Sequence, residues 1–69
     1  MNKVRQIRQE KGLNQRQLAE KSHTPQSLVS SIERGVMKPW PKVLHRLARA
    51  LGVSETELFP TEEGGQDGK

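Results

Sequence analysis

Cysteine is absent from these 69 residues, which removes disulfides and thiolate metal sites as sources of stability. Tyrosine is absent too, and the aromatic residues are Trp40 and Phe59 alone. With β-branched runs also missing, a sheet is not expected. No apolar stretch approaches the roughly 20 residues that span a bilayer, and the N-terminal MNKVRQIRQEK lacks the unbroken apolar centre of a signal peptide. A cytoplasmic location is the resulting expectation. Asp is missing before residue 67, and the two His, His23 and His45, stand 22 positions apart on different elements. The five Glu of residues 1–59 show no pairing suited to acid–base work, and no G-x-S-x-G elbow occurs. Catalysis is therefore not expected, and neither a metal site nor a cofactor is implied.

A chain of 69 residues allows one domain, and a domain so short buries only about 60% of the surface its unfolded chain exposes. Charge is unevenly placed along it. Residues 1–59 carry 11 Lys and Arg against 5 Glu, an excess of six positive charges, whereas residues 60–69 carry one Lys against three acids. The first part is drawn to polyanions, of which nucleic acid is the commonest in a cytoplasm, although a merely soluble basic surface has the same composition. The last ten residues have the composition of a disordered acidic tail.

Five short helices account for the apolar pattern. The first runs from about Asn2 to Lys11, with Val4, Ile7 and the Lys11 stem inward, and Gly12 closes it. Asn14 caps the second, and Gln17 three residues on completes a capping-box variant. A polar break, Ser22-His23-Thr24-Pro25, leads to a third helix from about Pro25 to Arg34, with Gly35 as its stop. A fourth, from about Pro41 to Leu51, has the clearest stripe: Leu44, Leu47, Ala48 and Leu51. Ser54 and Glu57 form an S-x-x-E capping box opening a last helix through Leu58 and Phe59. On the third helix, Gln26, Ser27, Ser30 and Ser31 make an uncharged hydrogen-bonding face suited to base edges, because Gln can both donate to and accept from adenine.

The segments IRQEKGLNQRQLAEKS, SLVSSIERG and LARALGVSETELF, in this order and spacing, resemble the lambda-repressor-like and Cro-like helix-turn-helix family, of the xenobiotic-response-element type. The likeness covers roughly residues 2–59 and implies an all-α, five-helix DNA-binding domain over residues 1–59, with residues 60–69 as the tail. It implies that the third helix enters the major groove, with Gln26, Ser27 and Ser31 reading bases and Ser30 a weaker reader. It places Asn14, Gln15, Arg16, Arg34 and Lys38 on phosphates, where they set register without reading sequence. It also implies an Arg8–Glu33 ion pair tying the first helix to the third. Lys3, Arg5, Lys21, Arg46 and Arg49 read as ordinary solvated charges.

The turn departs from the family pattern. His23 stands where Gly is usual and must accept positive φ. Ser22 and Thr24 fill flanking apolar positions, so Thr24 is expected to cap one residue early, leaving Pro25 helical. Leu28 is expected to pack beside the second helix, and Trp40 across the start of the fourth. The implied function is a sequence-specific double-stranded DNA-binding regulator, most simply a small repressor. It would bind as a homodimer, formed mainly on the DNA, over half-sites about 34–36 Å apart. The alternative is an antitoxin-like protein-interaction module whose contact patch is Trp40, Leu58 and Phe59; RNA binding suits a chain so poor in aromatics less well.

Overall fold

Each helix begins or ends at a residue whose chemistry enforces the break. The computed structural model describes residues 2–60, and these hold α1 (Val4–Glu10), α2 (Gln15–Ser22), α3 (Gln26–Glu33), α4 (Pro41–Leu51) and α5 (Glu55–Leu58). No strand occurs among the described residues, and no helix there is long and apolar enough to cross a membrane. The tail assigned to residues 60–69 lies, from Thr61 onward, outside the described residues.

Both capping boxes form. The Asn14 side chain accepts from the Gln17 amide at 2.7 Å, and the Gln17 side chain accepts from the Asn14 amide at 2.8 Å. Ser54 and Glu57 repeat the arrangement at α5. Each box satisfies two amides that the helix itself leaves free.

The core is assembled from one stripe of each helix: Val4 and Ile7, Leu18 and Ala19, Val29 and Ile32, then Leu47, Ala48 and Leu51, with Leu58 closing the end. Helix α2 lies at the centre, packed on α3 and α4, while α1 meets α3 and α5 meets α4. Leu28 and Leu44 are half-buried against this cluster. Burying such aliphatic side chains contributes about 1.5–3 kcal/mol each before chain entropy is counted.

Five local expectations are corrected. Helix α1 starts at Val4 and not Asn2, because the Asn2 side chain folds back to accept from the Val4 amide at 3.1 Å. The inward long side chain of α1 is Arg8 and not Lys11, which is exposed. Thr24 does not cap α3: it is buried, and its hydroxyl donates to the Ser22 carbonyl at 3.1 Å. Pro25 is the cap residue itself, extended at φ −58° and ψ 141°, and its carbonyl opens the ladder to Leu28 and Val29. Its ring fixes φ at a value that suits either place, so ψ decides. Finally, Trp40 does not cover the core but stands 58% exposed.

The α2–α3 turn explains the polar residues at its apolar positions. His23 adopts φ 55° and ψ 43°, and the amides of His23 and Thr24 donate to the carbonyls of Glu20 and Ala19. Ser22, the last residue of α2, is buried with its hydroxyl donating to the Leu18 carbonyl at 2.7 Å. Satisfied in this way, a buried hydroxyl adds little penalty.

Candidate nucleic-acid interface

The geometry of the site is set by a carboxylate at the meeting point of three helices. Glu33, at the end of α3, accepts from Arg8 Nε at 2.7 Å and Arg8 Nη2 at 3.2 Å, a two-pronged contact. Gln15, the first residue of α2, donates to the same carboxylate at 3.2 Å. Arg8 Nη1 completes the set by donating to the Leu13 carbonyl at 2.9 Å. The side chains of Arg8 and Glu33 are 11% and 3% exposed, so neither charge has much water to fall back on. A pair so placed fixes relative orientation more than it adds stability, because desolvation offsets the attraction.

Held at this angle, α3 exposes its first two residues, Gln26 and Ser27, to solvent. Neither side chain makes a hydrogen bond to another described residue, so their donors and acceptors are free. Ser30 and Ser31 sit deeper and are half-buried. At the far end, the Val36 amide donates to the Ser31 carbonyl at 3.0 Å around Gly35, whose φ of 75° ends the helix abruptly. A side chain other than glycine's would be strained there.

The basic and polar groups around α3 differ in how free they are. A cleft of about 300 Å³ between α1, α2 and α3 is lined by Arg5, Arg8, Gln15, Ser30, Glu33 and Arg34. It brings Gln15 and Arg34 together, and adds Arg5, expected from the sequence to be an ordinary solvated charge. Arg5 and Arg8 are three apart on one helix and so share a face; that spacing was the available signal. Asn14 is exposed, but its oxygen is committed to the cap, leaving its amide NH₂. Arg16 lies 3.5 Å from Glu20 in an exposed contact that water readily breaks. Arg34 and Lys38 are exposed and in no ion pair among the described residues.

Two short helices with a tight left-handed turn, the second presenting free uncharged donors beside basic flanks, form a helix-turn-helix. A family model described as helix-turn-helix matches residues 4–58. The chain belongs to this lambda-repressor-like family. It is thus a DNA-binding transcriptional regulator, and the partner of its family is double-stranded DNA. An HTH-type transcriptional regulator of Sinorhizobium fredii is 47% identical over 58 residues, 83% of this chain and 75% of that protein. The competence pilus inhibition repressor of Acinetobacter baylyi is 39% identical over 56 residues, 81% of this chain and 51% of that protein. An HTH-type regulator of Methanothermobacter thermautotrophicus is 36% identical over 63 residues, 90% of this chain and 91% of that protein. The chain therefore spans about half of the Acinetobacter protein and nearly all of the archaeal one.

The patch considered for a protein partner does not assemble as expected. Leu58 is fully buried and cannot meet a partner, and Phe59 is half-buried against the core. Trp40 alone of the three is freely exposed.

Proposed function

We propose that this chain reads a specific duplex sequence by seating α3 in the major groove, and that it acts as a repressor. The observation that carries this is the pairing of free Gln26 and Ser27 side chains with a reading helix clamped by Arg8 and Glu33. Gln26 faces an adenine, donating to N7 and accepting from the N6 amine's hydrogen when its amide is turned accordingly. Ser27, Ser31 and the more recessed Ser30 accept or donate to almost any base and add little discrimination. Gln15, the Asn14 amide, Arg16, Arg34 and Lys38 hold phosphates, fixing register. Residues 1–59 form the DNA-binding unit, and its site of action is the cytoplasm.

Two copies occupy a near-palindrome, one α3 per half-site, with centres about 34–36 Å apart. Dimerisation is weak in free solution and completed on DNA. The name of the Acinetobacter relative, a repressor, supports the sign of regulation.

Selection of binding sites from a random duplex library, followed by salt titration of the best site, tests this reading. A palindromic consensus is expected, and Gln26→Ala should relax preference at one base pair per half-site by roughly 1–3 kcal/mol. Weak binding without a consensus, abolished by salt, would overturn it.

A further inference from the structure

The outward face of α4 is cationic. At 3.6 residues per turn, Lys42, Arg46 and Arg49 fall within about 60° of one another, opposite the buried Leu47, Ala48 and Leu51. All three are exposed, and none is in an ion pair among the described residues. His45 beside them is occupied, with its Nδ1 3.3 Å from a Glu55 carboxylate oxygen. No Asp or Glu occurs from residue 34 to residue 54, so α4 offers these cations no carboxylate of its own. We propose that this face is the docking surface for the acidic segment of the same chain, residues 61–69, whose Glu62, Glu63 and Asp67 pair with the three cations.

The fold delivers that segment to the right place. Helix α5 packs against α4 and has only four residues, a rise of about 6 Å. Its first residue, Glu55, meets His45 through its side chain, and its carbonyl accepts from the Phe59 amide at 3.0 Å. The chain thus leaves α5 about one helical turn from His45, the neighbour of Arg46 and Arg49 on α4. Glu62 and Glu63 follow Pro60 by two and three residues, a reach of about 7–10 Å. The four residues from Glu63 to Asp67 span up to about 14 Å, against about 10 Å along α4 from Lys42 to Arg49.

Charge and position select this occupant. A second copy meeting this face about a two-fold axis would set like charges against one another. The DNA contacts proposed above use α3, the start of α2 and the loop after α3, and leave Lys42, Arg46 and Arg49 unused. Each exposed pair is weak alone and is screened by salt. Tethering, however, holds the segment at an effective concentration in the millimolar range, so that weak pairs act together. Covered in this way, α4 no longer attracts duplex DNA of any sequence through its charge.

The full chain carrying Glu62→Gln, Glu63→Gln and Asp67→Asn tests the contact. At low salt, the amide signals of residues 42–49 and the Nε–H signals of Arg46 and Arg49 should differ from the parent's in nuclear magnetic resonance spectra, while those of α3 stay in place. Salt at about 0.5 M should remove the difference, because exposed pairs are screened. Affinity for a random-sequence duplex should rise about threefold or more in the variant. With Arg46→Gln and Arg49→Gln already present, the same tail changes should alter it by less than about 1.5-fold. An equal rise in both backgrounds would overturn the proposal, since a field acting on the whole molecule needs no docking. Unchanged α4 signals would overturn it, as would shifts confined to residues 34–38, which put the segment on the loop after α3. Differences that grow with protein concentration would also overturn it, assigning the contact to a neighbouring copy. None of these readouts requires α3 to read bases, so failure here and failure of base reading are separable.

Discussion

The side-chain amide of Asn2 donates to the Ile32 carbonyl across 2.8 Å while its oxygen accepts from the Val4 amide, so one residue holds the first amide of α1 and grips the last turn of α3. The adjacent Lys3 amide donates to the Leu58 carbonyl at 2.8 Å, joining α5 to the same point. The start of the chain thus braces the reading helix at the end opposite its first exposed residues.

Replacing Asn2 separates the two roles. Asn2→Ser keeps an oxygen for the Val4 amide and loses the amide donor to Ile32, a loss of about 1 kcal/mol in urea unfolding. Asn2→Asp keeps the acceptor but sets a carboxylate beside a carbonyl, and should cost more. If both variants match the parent in stability and in operator selectivity, the contact with Ile32 does not position α3.

Breaking the ion pair should be far more severe. Arg8→Ala strands Glu33, which is nearly inaccessible to water, and should cost about 3–5 kcal/mol. That approaches the whole stability of a domain this small. Arg8→Met with Glu33→Gln should recover much of the fold, because no uncompensated charge remains, while operator affinity stays reduced. Thermal unfolding of the single and double variants, beside binding assays, distinguishes the two effects.

The left-handed residue in the turn offers a stabilising change. His23→Gly should raise stability by about 0.5–1 kcal/mol, the relief of left-handed strain less the added entropy of glycine in the unfolded chain. At this size that is a rise of about 2–8 °C in melting temperature. A fall in melting temperature would mean that the imidazole makes a stabilising contact.

Arg5 should contribute to affinity without contributing to sequence choice. Arg5→Gln is expected to reduce the slope of log affinity against log salt by about one and leave the selected consensus unaltered. An unchanged slope would return Arg5 to the solvated charges.

What could be read ahead of the structure was local. Asn14 with Gln17, and Ser54 with Glu57, specify their helix starts through spacing alone, and the α4 stripe fixes which face of that helix turns inward. The positive φ of His23 followed from its place in the motif. Thr24 and Pro25 differ from expectation because a threonine that caps and one that turns inward have the same sequence; only its burial in the folded turn decides. Trp40 and Leu58 exchanged their expected surroundings for a similar reason, since burial depends on which helices close over a loop. The spacing of Arg5 and Arg8 puts them on one face of α1, but only the approach of α1 to α3 turns that face into the wall of a cleft. The resemblance, and not the residue pattern, brought Arg8 and Glu33 together.

Gln26 and Ser27 protrude from a helix whose inner side alone is tied to the rest of the molecule. On the proposed reading, target choice and structural integrity are entrusted to different atoms. Exchanging those two side chains should redirect the protein to new operators without unfolding it, so that a lineage of such regulators could diversify its addresses while keeping a single scaffold.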